Sequence, residues 1–228
     1  MNLSWSDSYM QIWDKCHFWA YLRYVKKYPD LQPKPAADRG ASIHDQLKDA
    51  VDSGNAVKLP DEAADFKAEF GVLLKYARKK LVDTELKVSI DRDWKRVSWK
   101  EAWGRFVYDV RVRFSPKELL LVDYKTGKKS GNEIKHTEQG HKYMLAEVML
   151  DPQIELVHVE FWYLDQNDMM TTTYPRQHGL KFFKHINDRA VKATDPNQTW
   201  KPSPSKWACK FCPYRPDRGG QCPHGVVS

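Results

Sequence analysis

The spacing of apolar residues in the first third of the chain predicts helices. Apolar side chains recur at every third or fourth position, which places them on one helical face. This pattern covers residues 6–26, 38–51 and 60–81. Ser6 and Pro60 stand where an N-cap and a first-turn residue belong, and the proline-rich segment 29–35 breaks the pattern. The sequence therefore predicts three N-terminal helices.

From residue 85 onward, alternating and short apolar runs are typical of β-strands. Strands are predicted over residues 85–90, 103–114, 119–125, 154–164 and 170–174, with helices over residues 135–150 and 179–192. The turn at Ser115-Pro116-Lys117 joins the second and third strands, so we expect an antiparallel hairpin there. Helices followed by a strand-strand-strand-helix-strand order predict the α/β class with a mixed sheet.

Composition narrows the class of protein. The chain has 228 residues, of which 41% are hydrophobic and 29% charged, as in a globular domain with a sizeable core. A net charge of +7 favours a polyanionic partner such as nucleic acid. No apolar run approaches the roughly twenty residues of a membrane span, and the N-terminus lacks a signal-peptide core. We therefore expect an intracellular, cytoplasmic protein whose four cysteines are reduced and available to bind metal.

Two acidic residues interrupt the apolar strands at the predicted hairpin. Asp109 follows Phe106-Val107-Tyr108, and Asp123 opens Asp123-Tyr124-Lys125 after a run of leucines and valine. Buried carboxylates are costly unless they are paired or bind a metal. Lys125 leaves the same strand face as Asp123, where it can orient a water or stabilise developing negative charge. The two carboxylates, with the backbone carbonyl of Tyr124, suit a hard cation such as Mg²⁺ or Mn²⁺.

Two helical motifs accompany these acids. Gly40 and His44 form G-x-x-x-H, and Gln139 and Tyr143 form Q-x-x-x-Y, whose spacing places both side chains on one helical face. Glu85 opens the first predicted strand as a further acidic residue. Each motif alone is weak, because a lone helical histidine is usually structural.

In this order the motifs resemble the RecB-like branch of the PD-(D/E)xK nuclease superfamily. The resemblance covers about residues 4–224 and implies a restriction-endonuclease-like core, with a mixed central sheet flanked by helices. It implies that His44, Asp109 and Asp123 bind the catalytic metal and that Lys125 assists catalysis. It further implies that Gln139 and Tyr143 line the substrate channel and that Glu85 lies near the metal without binding it.

The cysteines form a second candidate site. Cys209 and Cys212 make C-x-x-C, Cys222 follows, and Cys16 lies on the first predicted helix. Four thiolates suit either tetrahedral Zn²⁺ or a 4Fe–4S cluster, and spacing does not decide between them. Members of the RecB-like family carry one cysteine before the nuclease core and three after it, which hold a 4Fe–4S cluster, and this chain resembles that layout. The longer last gap and His224 nearby leave the third local ligand open.

The leading interpretation is a single-domain, metal-dependent DNA exonuclease. Residues 1–84 form its helical part, 85–194 the nuclease core and 195–228 a cysteine-rich tail that pairs with Cys16. A flap or junction endonuclease and a non-catalytic single-strand-binding subunit are the alternatives. The sequence contains no G-x-x-x-x-G-K-[ST] phosphate loop, so we expect unwinding to come from a separate helicase or recombination partner. By analogy, such a nuclease suits a phage recombination or degradation system, or CRISPR adaptation.

Overall fold

The computed structural model describes residues 3–54 and 59–226. The chain divides into two compact units. A terminal unit comprises Met1–Lys34, Trp103–Arg105 and His185–Ser228, and a central unit comprises Pro35–Ala102 and Phe106–Lys184.

A five-stranded sheet in the order β1-β2-β3-β4-β5 forms the framework of the central unit. The strands are β1 (Val82–Ile90), β2 (Gly104–Ser115), β3 (Glu118–Lys125), β4 (Leu156–Tyr163) and β5 (Asp168–Pro175). β2 and β3 pair antiparallel, as the predicted hairpin requires, whereas β3 and β4 pair parallel and β4 and β5 antiparallel. The sheet is therefore mixed, and the predicted fold class is confirmed.

Helices of the central unit supply the side chains that cover the sheet. They are α3 (Pro35–Ser53), a 3₁₀ turn (Asp61–Phe66), α4 (Lys67–Ala77), α5 (Glu133–Leu150), a 3₁₀ turn (Leu164–Gln166) and α6 (Arg176–Leu180). The predicted continuous helix over 60–81 is wrong at both ends. Its first six residues, Asp61–Phe66, are 3₁₀-helical, and the α-helix α4 ends at Ala77. Lys80 then adopts a positive φ of 58°, the left-handed conformation that commonly follows the end of a helix, before β1 begins.

The alternation of β3 separates an apolar core from a polar cluster. Val122 and Tyr124 belong to the hydrophobic core together with Ile43 and Leu47 of α3 and Phe70 of α4. Asp123, between them in sequence, instead contacts side chains of α5. A strand directs successive side chains to opposite faces, and α5 thereby meets the acidic residue.

The terminal unit contains α1 (Asp7–Lys15), α2 (His17–Ala20), a π-helical turn (Tyr21–Val25), α8 (Lys206–Lys210) and a 3₁₀ turn (Pro216–Arg218). α7 (Phe183–Ala193) enters it near residue 185. The predicted N-cap is confirmed, because Ser6 Oγ accepts a hydrogen bond from the Tyr9 amide. The predicted continuous helix over 6–26 is wrong: Cys16 is extended, with φ −165° and ψ 115°, and separates α1 from α2. The spacing of apolar side chains does not reveal this break, because a single extended residue leaves the spacing almost unchanged. The Cys16 amide also still donates a helix-like hydrogen bond to the Ile12 carbonyl.

Long-range hydrogen bonds connect the N-terminal helices of this unit to its C-terminal segment. The Tyr9 hydroxyl donates to the Ala193 carbonyl at 2.5 Å, and the Tyr214 hydroxyl donates to the Tyr28 carbonyl at 2.7 Å. The tail is thus ordered by specific contacts as well as by its short helices. Among the described residues, no helix has the length and apolar character needed to cross a membrane.

Candidate active site and cysteine cavity

Three potential metal ligands from three elements converge in the central unit. His44 lies on α3, Glu85 on β1 and Asp109 on β2, and each offers a ligand atom within 4.8 Å of the others. His44 Nδ1 lies 3.3 Å from Asp109 Oδ1. One imidazole and two carboxylates suit a divalent cation such as Mn²⁺ or Mg²⁺.

Glu85 reaches this group through an unusual backbone conformation. Its φ is 46°, a left-handed value that non-glycine residues adopt infrequently. The resemblance implies that Glu85 lies near the metal without binding it. In the structure, a carboxylate oxygen of Glu85 instead lies within 4.8 Å of ligand atoms of both His44 and Asp109. The acidic residue was visible in the sequence, but the backbone turn that directs it was not. Strained conformations of this kind concentrate at functional sites.

Asp123 is buried and held by three side chains. Its Oδ2 accepts a hydrogen bond from Gln139 Nε2 at 2.7 Å and lies 3.0 Å from the Tyr143 hydroxyl. Its Oδ1 forms an ion pair with Lys125. Asp123 is not a member of the three-ligand group, but its charge acts on both His44 and Asp109.

Lys125 is fixed as firmly as the carboxylate that it faces. Its ammonium donates to Gln139 Oε1 at 3.1 Å and lies 5.3 Å from the centre of the Phe161 ring. The i, i+2 spacing on β3 therefore places acid and lysine side by side, as the sequence predicted for this pair. A partly buried, oriented lysine is suited to stabilise charge on a phosphate.

Residues of the Q-x-x-x-Y motif and Tyr124 form further hydrogen bonds around the two aspartates. Gln139 Nε2 donates to the Tyr143 hydroxyl at 2.7 Å, and the single proton of that hydroxyl can be donated either to the Val107 carbonyl at 2.9 Å or to Asp123 Oδ2 at 3.0 Å. The Tyr124 amide donates to Asp109 Oδ2 at 2.6 Å. The predicted role of the Tyr124 carbonyl as a metal ligand stays a prediction.

Gly40 allows α3 to approach the loop after β3. A Cβ atom at this position would lie 3.0 Å from Thr126 Oγ1, which is closer than side-chain carbons normally come. Gly40 lies one helical turn before His44, so its small size helps to bring the imidazole towards the end of β3.

Negative charge is crowded at this site. Burial, followed by the charge of Asp123, raises the pKa of Asp109. Burial and the charge of Asp109 likewise raise the pKa of Glu85. Burial alone would lower the pKa of His44, but its hydrogen bond to Asp109 and the surrounding carboxylates outweigh burial and raise it. A divalent cation would relieve this repulsion, so the residues present fit a metal.

The four cysteines line one cavity in the terminal unit. Cys209, Cys212 and Cys222 are buried, Cys16 is partly buried, and all are free thiols. The remaining lining residues include Trp19, Pro202, Pro204, Ala208, Arg215, His224 and Gly225. All four cysteines thus line the same cavity, and their joint role as ligands of one group stays a prediction.

The protonation of the thiols, the spacing of their sulfur atoms and the polar groups of the cavity limit what it could bind. Burial raises the pKa of Cys212 to about 12 and also raises the pKa of Cys222. Four sulfurs around one tetrahedral zinc would lie about 3.8 Å apart, yet among the described residues the cysteines do not form a group within 4.8 Å. The buried indole nitrogen of Trp19 has no hydrogen-bond partner among the described atoms. The four thiols thus line one cavity without forming a closely spaced ligand group among the described residues.

Comparison with known proteins identifies the family. A family model of the PD-(D/E)XK nuclease superfamily matches residues 4–216. The chain therefore belongs to the PD-(D/E)XK nuclease superfamily, whose members are nucleases that use divalent metals.

Solved structures add support for the fold. The crystal structure of SSO0001 is similar to this chain with a TM-score of 0.54 and 16% sequence identity. The similarity covers 98% of this chain and 87% of that chain. At this identity the likeness shows the fold alone. A search of curated proteins finds no match.

Proposed function

We propose that this protein is a divalent-metal-dependent DNA exonuclease of the RecB-like branch. The observation that carries the proposal is the convergence of His44, Glu85 and Asp109 within ligand distance of one another. The ion pair between buried Asp123 and partly exposed Lys125 would supply the charged groups that act on the phosphate. The net charge of +7 favours a polyanionic substrate.

Each residue has a role in phosphodiester hydrolysis that its contacts support. His44, Glu85 and Asp109 would hold Mg²⁺ or Mn²⁺, and the charge of Asp123 acts on His44 and Asp109. The role of Asp123 as a further metal ligand, which the resemblance implies, stays a prediction. The bound cation would polarise a phosphoryl oxygen and acidify the attacking water.

Lys125 would stabilise the charge that develops on the phosphate. Its hydrogen bond to Gln139 and its pairing with Asp123 keep the ammonium in place. Gln139 and Tyr143, inferred from the resemblance to line the substrate channel, also orient Asp123 through direct hydrogen bonds.

The second part of the proposal is a 4Fe–4S cluster bound by Cys16, Cys209, Cys212 and Cys222. The convergence of these thiols on one cavity supports it. Its function would be structural, because ligation joins the C-terminal tail to the first helices of the terminal unit. Anaerobically purified protein should then be brown and contain iron and acid-labile sulfide. Stoichiometric zinc without iron would contradict the cluster.

The test of activity compares linear and circular DNA. End-labelled single-stranded and duplex DNA, and closed circles of each, would be incubated with Mg²⁺, with Mn²⁺ or with EDTA. We expect linear DNA to be degraded from its ends in a metal-dependent reaction while circles stay intact. Cleavage of circles would indicate the endonuclease instead. Tight binding without metal-dependent cleavage of any substrate would indicate the non-catalytic binding subunit.

Lys125→Ala tests whether the activity arises at this site. We expect cleavage to fall about 10²–10³-fold, as when an oriented electrostatic group is removed. Lys129→Ala is the matched control, because Lys129 pairs with Asp168 outside the acidic cluster. Equal loss in both variants would argue against a specific role for Lys125.

A further inference from the structure

One buried donor at the cysteine cavity lacks an acceptor. Trp19 is 6% exposed and lines the cavity. Its indole N–H has no hydrogen-bond partner among the described atoms. Burying an N–H without an acceptor is unfavourable, so proteins rarely leave one in this state.

Two other buried indoles of the same unit, those of Trp13 and Trp103, have side-chain acceptors. Trp13 Nε1 donates to Gln198 Oε1, and Trp103 Nε1 donates to Thr194 Oγ1, both at 2.8 Å. Trp19 differs from them in lining the cysteine cavity. Its position therefore suggests that the missing acceptor belongs to a group bound there.

The surroundings indicate the chemistry of that acceptor. Trp19 lies three residues after Cys16, which is nearly one helical turn. Arg215, 5% exposed, also lines the cavity, but its guanidinium pairs chiefly with Asp217 and only more weakly with Cys209 and Cys212. The unpartnered donor beside four thiols therefore favours a sulfur-rich acceptor.

We propose that the Trp19 indole N–H donates a hydrogen bond to a sulfur of the cluster, either a bridging sulfide or a cysteine thiolate. This inference rests on the cluster put forward above as part of the proposed function. Hydrogen bonds to cluster sulfurs set its reduction potential, because they stabilise the more negatively charged, reduced form. Trp19 is thus a positioning and tuning residue for the cluster and takes no part in phosphodiester cleavage.

The decisive variant is Trp19→Phe, which keeps an aromatic ring and removes the donor. Iron, labile sulfide and the midpoint reduction potential would be measured anaerobically on the full chain. We expect the cluster to be retained and its potential to become more negative than in the unmodified protein. Trp207→Phe is the matched control, because Trp207 lies two residues from Cys209 but is 84% exposed. An unchanged potential in Trp19→Phe, or an equal shift in both variants, overturns the proposal.

A second measurement decides the matter even if Trp19→Phe fails to fold. Protein labelled with ¹⁵N only at the indole nitrogens would be reduced and studied by pulsed electron paramagnetic resonance. A ¹⁵N coupling to the cluster that persists in Trp207→Phe supports the hydrogen bond, and its absence overturns it. A chain that binds no iron overturns both the cluster and this inference. The cleavage assay stands apart from either result, so failure of the nuclease proposal would be recognised separately.

Discussion

The acidic cluster of the central unit and the cysteine cavity of the terminal unit are organised in different ways. Asp123 already has hydrogen-bonding or ionic partners in Gln139, Tyr143 and Lys125. The four thiols instead converge on a cavity without forming a closely spaced group among the described residues. The first site is held by the protein's own hydrogen bonds, whereas we infer that the second depends on what it binds.

The position of the ligands along the chain explains this difference. The acidic residues come from adjacent strands and a neighbouring helix, where sheet pairing sets their spacing. Cys16 and Cys222 lie near opposite ends of the chain. Joining them closes a very long loop, which has a large entropic cost in the unligated protein. Metal removal should consequently affect activity at one site and folding at the other.

The largest expected effect is that of Cys16→Ala. We predict a colourless and poorly soluble protein, because the cluster would lose the ligand that connects the tail to the N-terminal helices. Soluble yield, iron content and circular dichroism would measure this loss. The contrasting control is unmodified protein in EDTA under conditions that spare the cluster, which should lose cleavage but keep its fold. A Cys16→Ala protein that stays brown and folded would show that the fold of the terminal unit does not depend on ligation by Cys16, and would contradict the contrast between the two sites.

Glu85→Gln tests the composition of the acidic site. We predict that cleavage falls about 10–100-fold, the typical cost of weakening a metal's surroundings, and recovers in part at higher metal concentration. Asp83→Asn is the matched control on the same strand, because its carboxylate pairs with Arg111. Metal titrations of cleavage rate would separate the two variants. If Glu85→Gln has the same metal dependence as the unmodified protein, Glu85 does not bind the metal.

The sequence anticipated the residues of the acidic site better than their geometry. Strand alternation predicts that Lys125 shares a face with Asp123, and i, i+4 helical spacing predicts that Gln139 shares a face with Tyr143. The structure places each pair in contact. The ligand role suggested for Glu85 depends on a positive φ, which no residue pattern encodes. The helix break at Cys16 was missed for the same reason, since a single extended residue leaves the apolar period intact.

Tyr143→Phe asks how far the acidic site relies on its hydrogen bonds. The hydroxyl can donate to Asp123 Oδ2 at 3.0 Å or to the Val107 carbonyl at 2.9 Å, and it accepts a hydrogen bond from Gln139, so its removal loosens the carboxylate. We predict about a tenfold loss of cleavage rate, with a smaller change in substrate affinity. Tyr163→Phe is the matched control, because it removes a hydroxyl that bonds to His136 Nδ1 at 2.7 Å. It should lower stability without lowering the cleavage rate, and equal loss of rate in both would point to a general structural effect.

The smallest effect concerns Glu147, a buried carboxylate of the central unit outside the acidic cluster. It is 2% exposed, its Oε1 has no hydrogen-bond partner among the described atoms, and its Oε2 lies 3.3 Å from Arg111 Nη1. Burial raises the pKa of Glu147, and the nearby Arg111 offsets this only in part.

Because the folded pKa of Glu147 exceeds its unfolded value, the unfolded chain ionises first as pH rises. Glu147 therefore lowers the free energy of unfolding increasingly as pH passes from below 4.5 through the folded pKa. Glu147→Gln cannot ionise, so its stability relative to the unmodified protein should improve between pH 4 and pH 7, by on the order of 1 kcal/mol. Urea unfolding in EDTA would measure this difference. Glu155→Gln, at an exposed ion pair with Lys117, should show little pH dependence of its own. Parallel pH profiles for Glu147→Gln and the unmodified protein would mean that burial does not raise this pKa, and would weaken the same argument for Asp109 and Glu85.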